Sequence, residues 1–315
     1  MLGYCLKRTL AAVPVMVIVA LFVFLLLRLS PGDPAAIIAG DMATPAQLAR
    51  IREALGLNEP MHIQFFRWVG ELLQGDFGTS LMSGLPVTTL MAQRLEPTVS
   101  LAVFSMLLSV LVAVPMGVLA AWKHGSLIDR VIMALSVVGF SVPVFVIGYL
   151  LIKLLAIDLG WLPVQGFRRL SEDGLWAFLE HALLPAMMLS TIYIALIARM
   201  TRASMLDVLG EDYIRTAHAK GASERRVLFR HALRNAGVPI LEVIGTGFAL
   251  MITGVVVTES VFNIPGLGRL TVDAILSRDY PVIQGLILVT SGVYVVINLL
   301  IDLSYALLDP RIRYR

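Results

Sequence analysis

Six stretches of this chain contain no Asp, Glu, Lys or Arg and run long enough, or nearly so, to cross a bilayer: residues 9–27, 97–122, 131–152, 182–198, 243–258 and 280–301. A hydrocarbon core of roughly 30 Å takes about 20 helical residues. Within it the backbone must satisfy its own N–H and C=O groups, so the runs are read as helices. The fifth is short unless it extends past Glu242 toward Gly237. Charged residues are only 15% of the chain, against about 25% in a soluble domain, and the mean hydropathy is +0.84. The expectation is an all-α membrane protein with six transmembrane helices.

Basic residues in short loops set orientation. With the N-terminus inside, Lys7, Arg8, Lys123, Arg130, the basic residues from Arg199 to Arg234, and Arg311, Arg313 and Arg315 all gather on one side. Both termini are therefore expected in the cytoplasm. The net charge of +3 follows from this bias and calls for no nucleic acid. The first apolar run is longer than a signal-peptide core and no A-x-A site precedes Pro31, so it is expected to stay as a span. Cys5, the single cysteine, has no internal disulfide partner.

Residues 1–29 are thus the N-terminus and first span, 30–96 a small helical extracytoplasmic segment, and 97–315 a core of five spans with cytoplasmic helices at about 205–234. In the extracytoplasmic segment, Thr44-Pro45 and Gly56 bracket one helix over 46–55. Phe65, Phe66, Val69, Leu72 and Leu73 fall at helical spacing in a second over 61–74, and 86–95 reads as a third leading into span two. The segment either covers the bundle or meets a partner. Beyond span five, Pro265, Gly266 and Gly268 suit a tight turn, either plain or re-entrant and able to gate a mouth.

No G-x-x-x-x-G-K-[ST] is present, the five histidines are scattered, and no nucleophile stands beside a base. The chain is expected to be no enzyme by itself and to hold no metal. Lys153 and Glu259 lie near span ends, where snorkelling accounts for them. Asp302 shares a face with Asn298, and a pair with Arg199 or Arg202 is as good a reading as transport chemistry. Ser141, Thr191, Tyr193 and Asn298, with Thr246, Thr253 and Ser291, either line a hydrated path or satisfy neighbouring helices.

The densest charge in the chain is Glu211-Asp212-Tyr213-Ile214-Arg215-Thr216-Ala217-His218-Ala219-Lys220-Gly221-Ala222-Ser223, between two apolar runs. Its acids suit the start of a helix that ends at Lys220 before Gly221, about ten residues and 15 Å long. Ser223 is placed to cap a third helix over 224–234. Exposed apolar anchors are expected at Tyr213, Ile214, Ala217, Leu228 and Phe229. Helices punctuated by glycine, with both signs of charge, suit insertion into a partner's groove. A helix lying among lipid headgroups and an idle loop stay open as alternatives.

Residues 212–221, followed by His231-Ala-Leu-Arg-Asn235, resemble the cytoplasmic coupling signature of binding-protein-dependent ABC transporter permeases, in detail the dipeptide/oligopeptide/nickel branch. Gly221 and Leu233 fit the general signature. Arg215 stands for its acid and Arg234 for its proline, departures usual in the peptide branch. Further matches run along nearly the whole chain at 31–34 (PGDP), 55–57 (LGL) with Pro60, 75–78 (GDFG), 125–130 (GSLIDR), 141–143 (SVP), 199–204 (RMTRAS), 265–268 (PGLG), 278–281 (RDYP), 298–302 (NLLID) and 309–313 (DPRIR).

That resemblance implies a type I ABC importer permease in the bacterial inner membrane, among its lipids, paired with a second, homologous permease. Two ATPase subunits, which use the ATP and Mg, would supply the missing P-loops, and residues 211–223 would dock on one of them. A periplasmic or lipid-anchored binding protein would deliver short peptides, with the segment 30–96 as its landing surface. Glutathione or a nickel–chelator complex is an alternative cargo, and a stand-alone carrier or channel an alternative class.

Overall fold

The computed structural model of the chain describes residues 2–29, 44–54 and 58–308. The expected motifs at 31–34, 55–57 and 309–313, with Arg311, Arg313 and Arg315, lie outside those residues, as do the side chains of Asp302 and Thr253. The helices are α1 (Leu2–Leu29), α2 (Pro45–Ala54), α3 (Met61–Leu73), α4 (Val87–Trp122), α5 (Leu127–Ser141), α6 (Val144–Leu151), α7 (Leu170–Leu209), α8 (Asp212–Ala219), α9 (Glu224–Arg226), α10 (Leu233–Val261), α11 (Leu267–Ser277) and α12 (Tyr280–Leu308). Two π-helical segments, Ile152–Asp158 and Val227–Ala232, continue α6 and join α9 to α10. Extended pairing among the described residues is limited to an isolated bridge between Thr79 and Pro86.

Among the described residues, five helices are long and apolar enough to cross a membrane, and a sixth span results if α5 and α6 are counted together across a 104° bend. The bend has a local cause. Val142 precedes Pro143 and is extended (φ −83°, ψ 128°), because the proline ring crowds a helical neighbour on its N-terminal side. Thr44 starts α2 with a reciprocal cap: its Oγ1 accepts the Gln47 N–H at 3.3 Å, and Gln47 Oε1 accepts the Thr44 N–H at 2.9 Å.

Two expected helices do not exist separately. Of residues 86–95, all but Pro86 belong to the 36-residue α4, which runs on unbroken through Pro97 and Pro115. Residues 224–234 likewise pass through α9 and the π segment straight into α10. This resolves the shortness of the fifth apolar run, since α10 extends well before Val243, with Glu242 exposed.

The described residues of Met1–Arg94 and Leu270–Val296 form one compact unit, and those of Leu95–Arg269 and Ile297–Arg315 another. In the first, Phe24 of α1 meets Phe65 edge-on at 5.3 Å and Trp68 at 5.7 Å. Asp279, just before α12, is 3% exposed and accepts the Leu81 N–H at 3.1 Å and the Ser80 hydroxyl. The second unit has a core of Leu101, Met188, Tyr193, Ile197, Met251 and Val255 from α4, α7 and α10. There Gly117 lets α4 close on α7: a Cβ on it would stand 2.5 Å from that of Thr201.

Candidate functional site

The elbow between α7 and α10 is built from α8, a turn and α9. Helix α8 has eight residues rather than about ten. Its end is a Schellman closure, in which the Gly221 N–H donates to His218 O at 2.9 Å and the Ala222 N–H to Ala217 O at 3.1 Å. Gly221 has φ +78°, and a Cβ on it would meet nothing within 4 Å, so glycine is there for its backbone alone. Charge on α8 is partly matched locally by Arg215 with Asp212 at 3.2 Å, and His218 Nδ1 lies 3.7 Å from a Glu224 carboxylate oxygen. Ser223 precedes α9 in an extended conformation but its side chain makes no capping bond.

The anchors divide in a way the sequence did not foretell. Ile214 and Leu228, expected to be exposed, are 2% and 6% exposed. They pack with Val227, Ala232, Val118 of α4 and Met205 of α7. Leu228, Ala232, Ala236 and Ile240 recur every four residues, so one continuous apolar stripe draws the elbow's second arm onto its own chain. Tyr213 and Phe229 remain 43% and 55% exposed, and the Tyr213 hydroxyl accepts from Asn235 Nδ2 at 3.1 Å. Ser223, Arg225, Arg226 and Phe229 surround an open hollow beside them.

Behind the elbow, Arg202 of α7 grips Asp129, in the first turn of α5 and ahead of the charge-free run 131–152. Asp129 Oδ2 also accepts the Gly125 N–H at 3.0 Å, and the Ser126 side chain caps α5 through the Asp129 N–H. The Arg202 guanidinium holds the Asp129 carboxyl well below the usual carboxylate range, outweighing burial. Arg202 thus has Asp129 for its partner, while Arg199 lies 5.9 Å from the Phe140 ring. Both motifs were visible in the sequence as GSLIDR and RMTRAS, but nothing there says that they meet.

The turn holding Pro265, Gly266 and Gly268 follows α10 directly. Glu259, read as a snorkelling residue at a span end, is instead fully enclosed at 0% exposure. Lys153 does reach outward, to Asp158 at 2.7 Å. Of the polar residues on the spans, Ser141 donates to Val137 O at 2.8 Å, Thr191 to Met187 O at 2.9 Å and Thr246 to Glu242 O at 2.8 Å. Thr191 also borders a cavity of about 110 Å³ with Ser136 and Gly139. Tyr193 is 8% exposed within the core, while Asn298 and Ser291 are half-buried. Among the described residues no three His, Cys, Asp or Glu side chains come together as a metal site requires.

With this geometry in place, comparison with known proteins is informative. Residues 113–314 match the family model of the binding-protein-dependent transport system inner membrane component, and residues 1–102 match the N-terminal model of the same membrane component. A probable peptide ABC transporter permease of Sinorhizobium fredii is 58% identical over 99% of both chains. A glutathione transport system permease of Salmonella paratyphi A is 45% identical over all of both, and a putative peptide transport system permease of Brucella abortus is 45% identical over the same extent. The inward-facing MetNI methionine ABC transporter shares the fold, with a TM-score of 0.59 at 16% identity over 70% of this chain and 97% of that one.

Proposed function

The chain belongs to the family of binding-protein-dependent transport system inner membrane components, and on that premise we propose that it is the peptide-carrying permease subunit of an ATP-driven importer. It is a multi-pass inner-membrane protein, and as a permease it works with an ATPase and a binding protein that it does not itself contain. Its cargo is short peptides. Two near relatives are named as peptide permeases and another as a glutathione permease, and glutathione, a small peptide with free carboxylates, is the second cargo to test.

The observation that carries this reading is the split of the elbow. Ile214, Val227 and Leu228 fix it to α4 and α7, while Tyr213, Arg215, Thr216, Lys220 and Phe229 stay open to a partner. A handle joined to the spans on one side and bare on the other suits the transfer of mechanical work. In this reading the elbow and both termini face the cytoplasm, two ATPase subunits that use ATP and Mg sit beneath a pair of homologous permeases, and one ATPase receives α8. Closure of the ATPases displaces α8, and the buried cluster that holds both Ile214 and Met205 carries the displacement into α7. The segment containing α2 and α3 faces outward as a landing surface for the periplasmic or lipid-anchored binding protein. Ser141, Thr191, Tyr193 and Asn298 are the first residues to probe as lining of the path.

The test is purification of the chain from its native membrane, identification of the companion chains, and uptake of labelled dipeptide and of glutathione into vesicles of the purified assembly. ATP-dependent dipeptide uptake by a complex with an ATPase supports the reading. Uptake by this chain alone overturns it.

A further inference from the structure

Glu259 is a buried charge that neither the elbow nor the path explains. A carboxylate enclosed this fully persists only with donors aimed at it. It has them from two elements. Thr98 Oγ1 of α4 donates to Oε1 at 2.6 Å, and the backbone N–H of Arg269, in the first turn of α11, donates to Oε2 at 2.8 Å. The same Thr98 hydroxyl accepts the Leu267 N–H at 2.8 Å, and the Glu259 carbonyl accepts the Ile264 N–H at 2.8 Å. Unpaired N–H groups at the start of a helix favour negative charge, so the first turn of α11 is matched to the carboxylate beneath it.

These bonds seat the turn, residues 262–269. Phe262 and Ile264 are 1% and 0% exposed, inserted in one cluster with Leu101, Met188 and Val255, and Phe262 O accepts the Gly166 N–H at 3.1 Å. Gly266 and Gly268 are explained by the same carboxylate. A Cβ at Gly266 would fall on the Glu259 carboxyl group, and one at Gly268 would stand 2.7 Å from Val256 Cα. Neither has positive φ; in this turn Asn263 does, at 55°. The glycines give room for a close approach, not freedom to bend.

An apolar side chain of similar volume would hold two apolar surfaces together about as well as a buried ion does. What the ion adds is direction, since a single seated geometry satisfies its donors. We propose that Glu259 is the latch of this turn, a positioning residue of the transport cycle that keeps Phe262 and Ile264 inserted until its bonds to Thr98 and Arg269 are exchanged. The proposal rests on the permease reading for its place in a cycle, but the latch itself is tested without transport.

The probe is a membrane-impermeant maleimide, applied from either face of the membrane to a chain carrying Cys5→Ser and Ile264→Cys. In this parent the buried thiol labels slowly. Glu259→Gln, which replaces one of the two accepting oxygens by a donor facing either Thr98 or the Arg269 N–H, raises the labelling rate about tenfold, the worth of one lost hydrogen bond. Thr98→Val does the same at nearly constant volume, and Thr98→Ser labels like the parent. A role in packing alone would leave Thr98→Val at the parent rate. If Glu259→Gln fails to reach the membrane, the two Thr98 variants carry the test, and an unchanged rate in Thr98→Val at normal chain levels overturns the latch. Accelerated labelling confined to the cytoplasmic face supports the latch and instead overturns the orientation proposed above.

Discussion

Arg202 holds Asp129 with two guanidinium nitrogens, Nε to Oδ1 at 2.5 Å and Nη2 to Oδ2 at 2.8 Å. The bridge links residues 73 apart in sequence and fastens the start of α5 to α7 just before the elbow. Arg202→Ala leaves the carboxylate, 5% exposed at its side chain, without its cation, a change that costs about 3 kcal/mol. Thermal unfolding of the detergent-purified chain checks this. The swap Asp129→Arg with Arg202→Asp recovers part of the loss, which no recovery would refute.

The same pair predicts an acid limit. The carboxyl of Asp129 titrates below its ordinary value of 3.8 in the folded chain, so the folded state binds fewer protons than the unfolded one in that range. Its contribution to stability is full above the ordinary value and is lost as pH falls below about 4. Asp129→Asn removes this part of the acid sensitivity, read as a smaller drop in melting temperature between pH 5 and pH 3.

Gly221 turns the chain at φ +78° in open space, so Gly221→Val introduces backbone strain without a clash. A β-branched residue in the left-handed region costs roughly 1–2 kcal/mol. The chain is expected to reach the membrane at normal levels while ATP hydrolysis and uptake in the assembled complex come apart. Gly221→Asn, a residue that tolerates this region, keeps them together. Normal coupling in Gly221→Val would show that the turn geometry is not needed.

The two faces of the elbow separate in their mutational effects. Ile214→Ala opens a hole in the cluster with Met205 and Leu228 and lowers stability by about 2–4 kcal/mol. Tyr213→Ala with Phe229→Ala leaves the melting temperature of the isolated chain nearly unchanged and lowers the recovery of the ATPase on co-purification. Equal effects of both changes on stability would contradict this division.

Close approach of α4 and α7 gives a further check. Gly117→Ala places a methyl 2.5 Å from Thr201 Cβ and 2.6 Å from Ala198 O. Overpacking of this kind costs about 1–3 kcal/mol, measurable as a lower melting temperature. The substitution Gly70→Ala, with nothing within 4 Å, serves as the neutral control.

The sequence by itself determined the spans, because a backbone in hydrocarbon allows almost nothing but helix and the charge-free runs mark where hydrocarbon lies. It also determined the elbow's punctuation, since Gly221 and the acids before α8 act through local backbone geometry and need no distant partner. Tertiary structure decided what depends on which face meets which. Leu228 and Phe229 are neighbours of similar character, and only packing makes one an internal anchor and the other an open contact. Glu259 read as a snorkelling residue at a span end, and Asp129 stood out only as part of the GSLIDR motif. Thr98 lies 161 residues from Glu259 and Arg202 73 from Asp129, and a contact at that separation leaves no local trace in periodicity or composition.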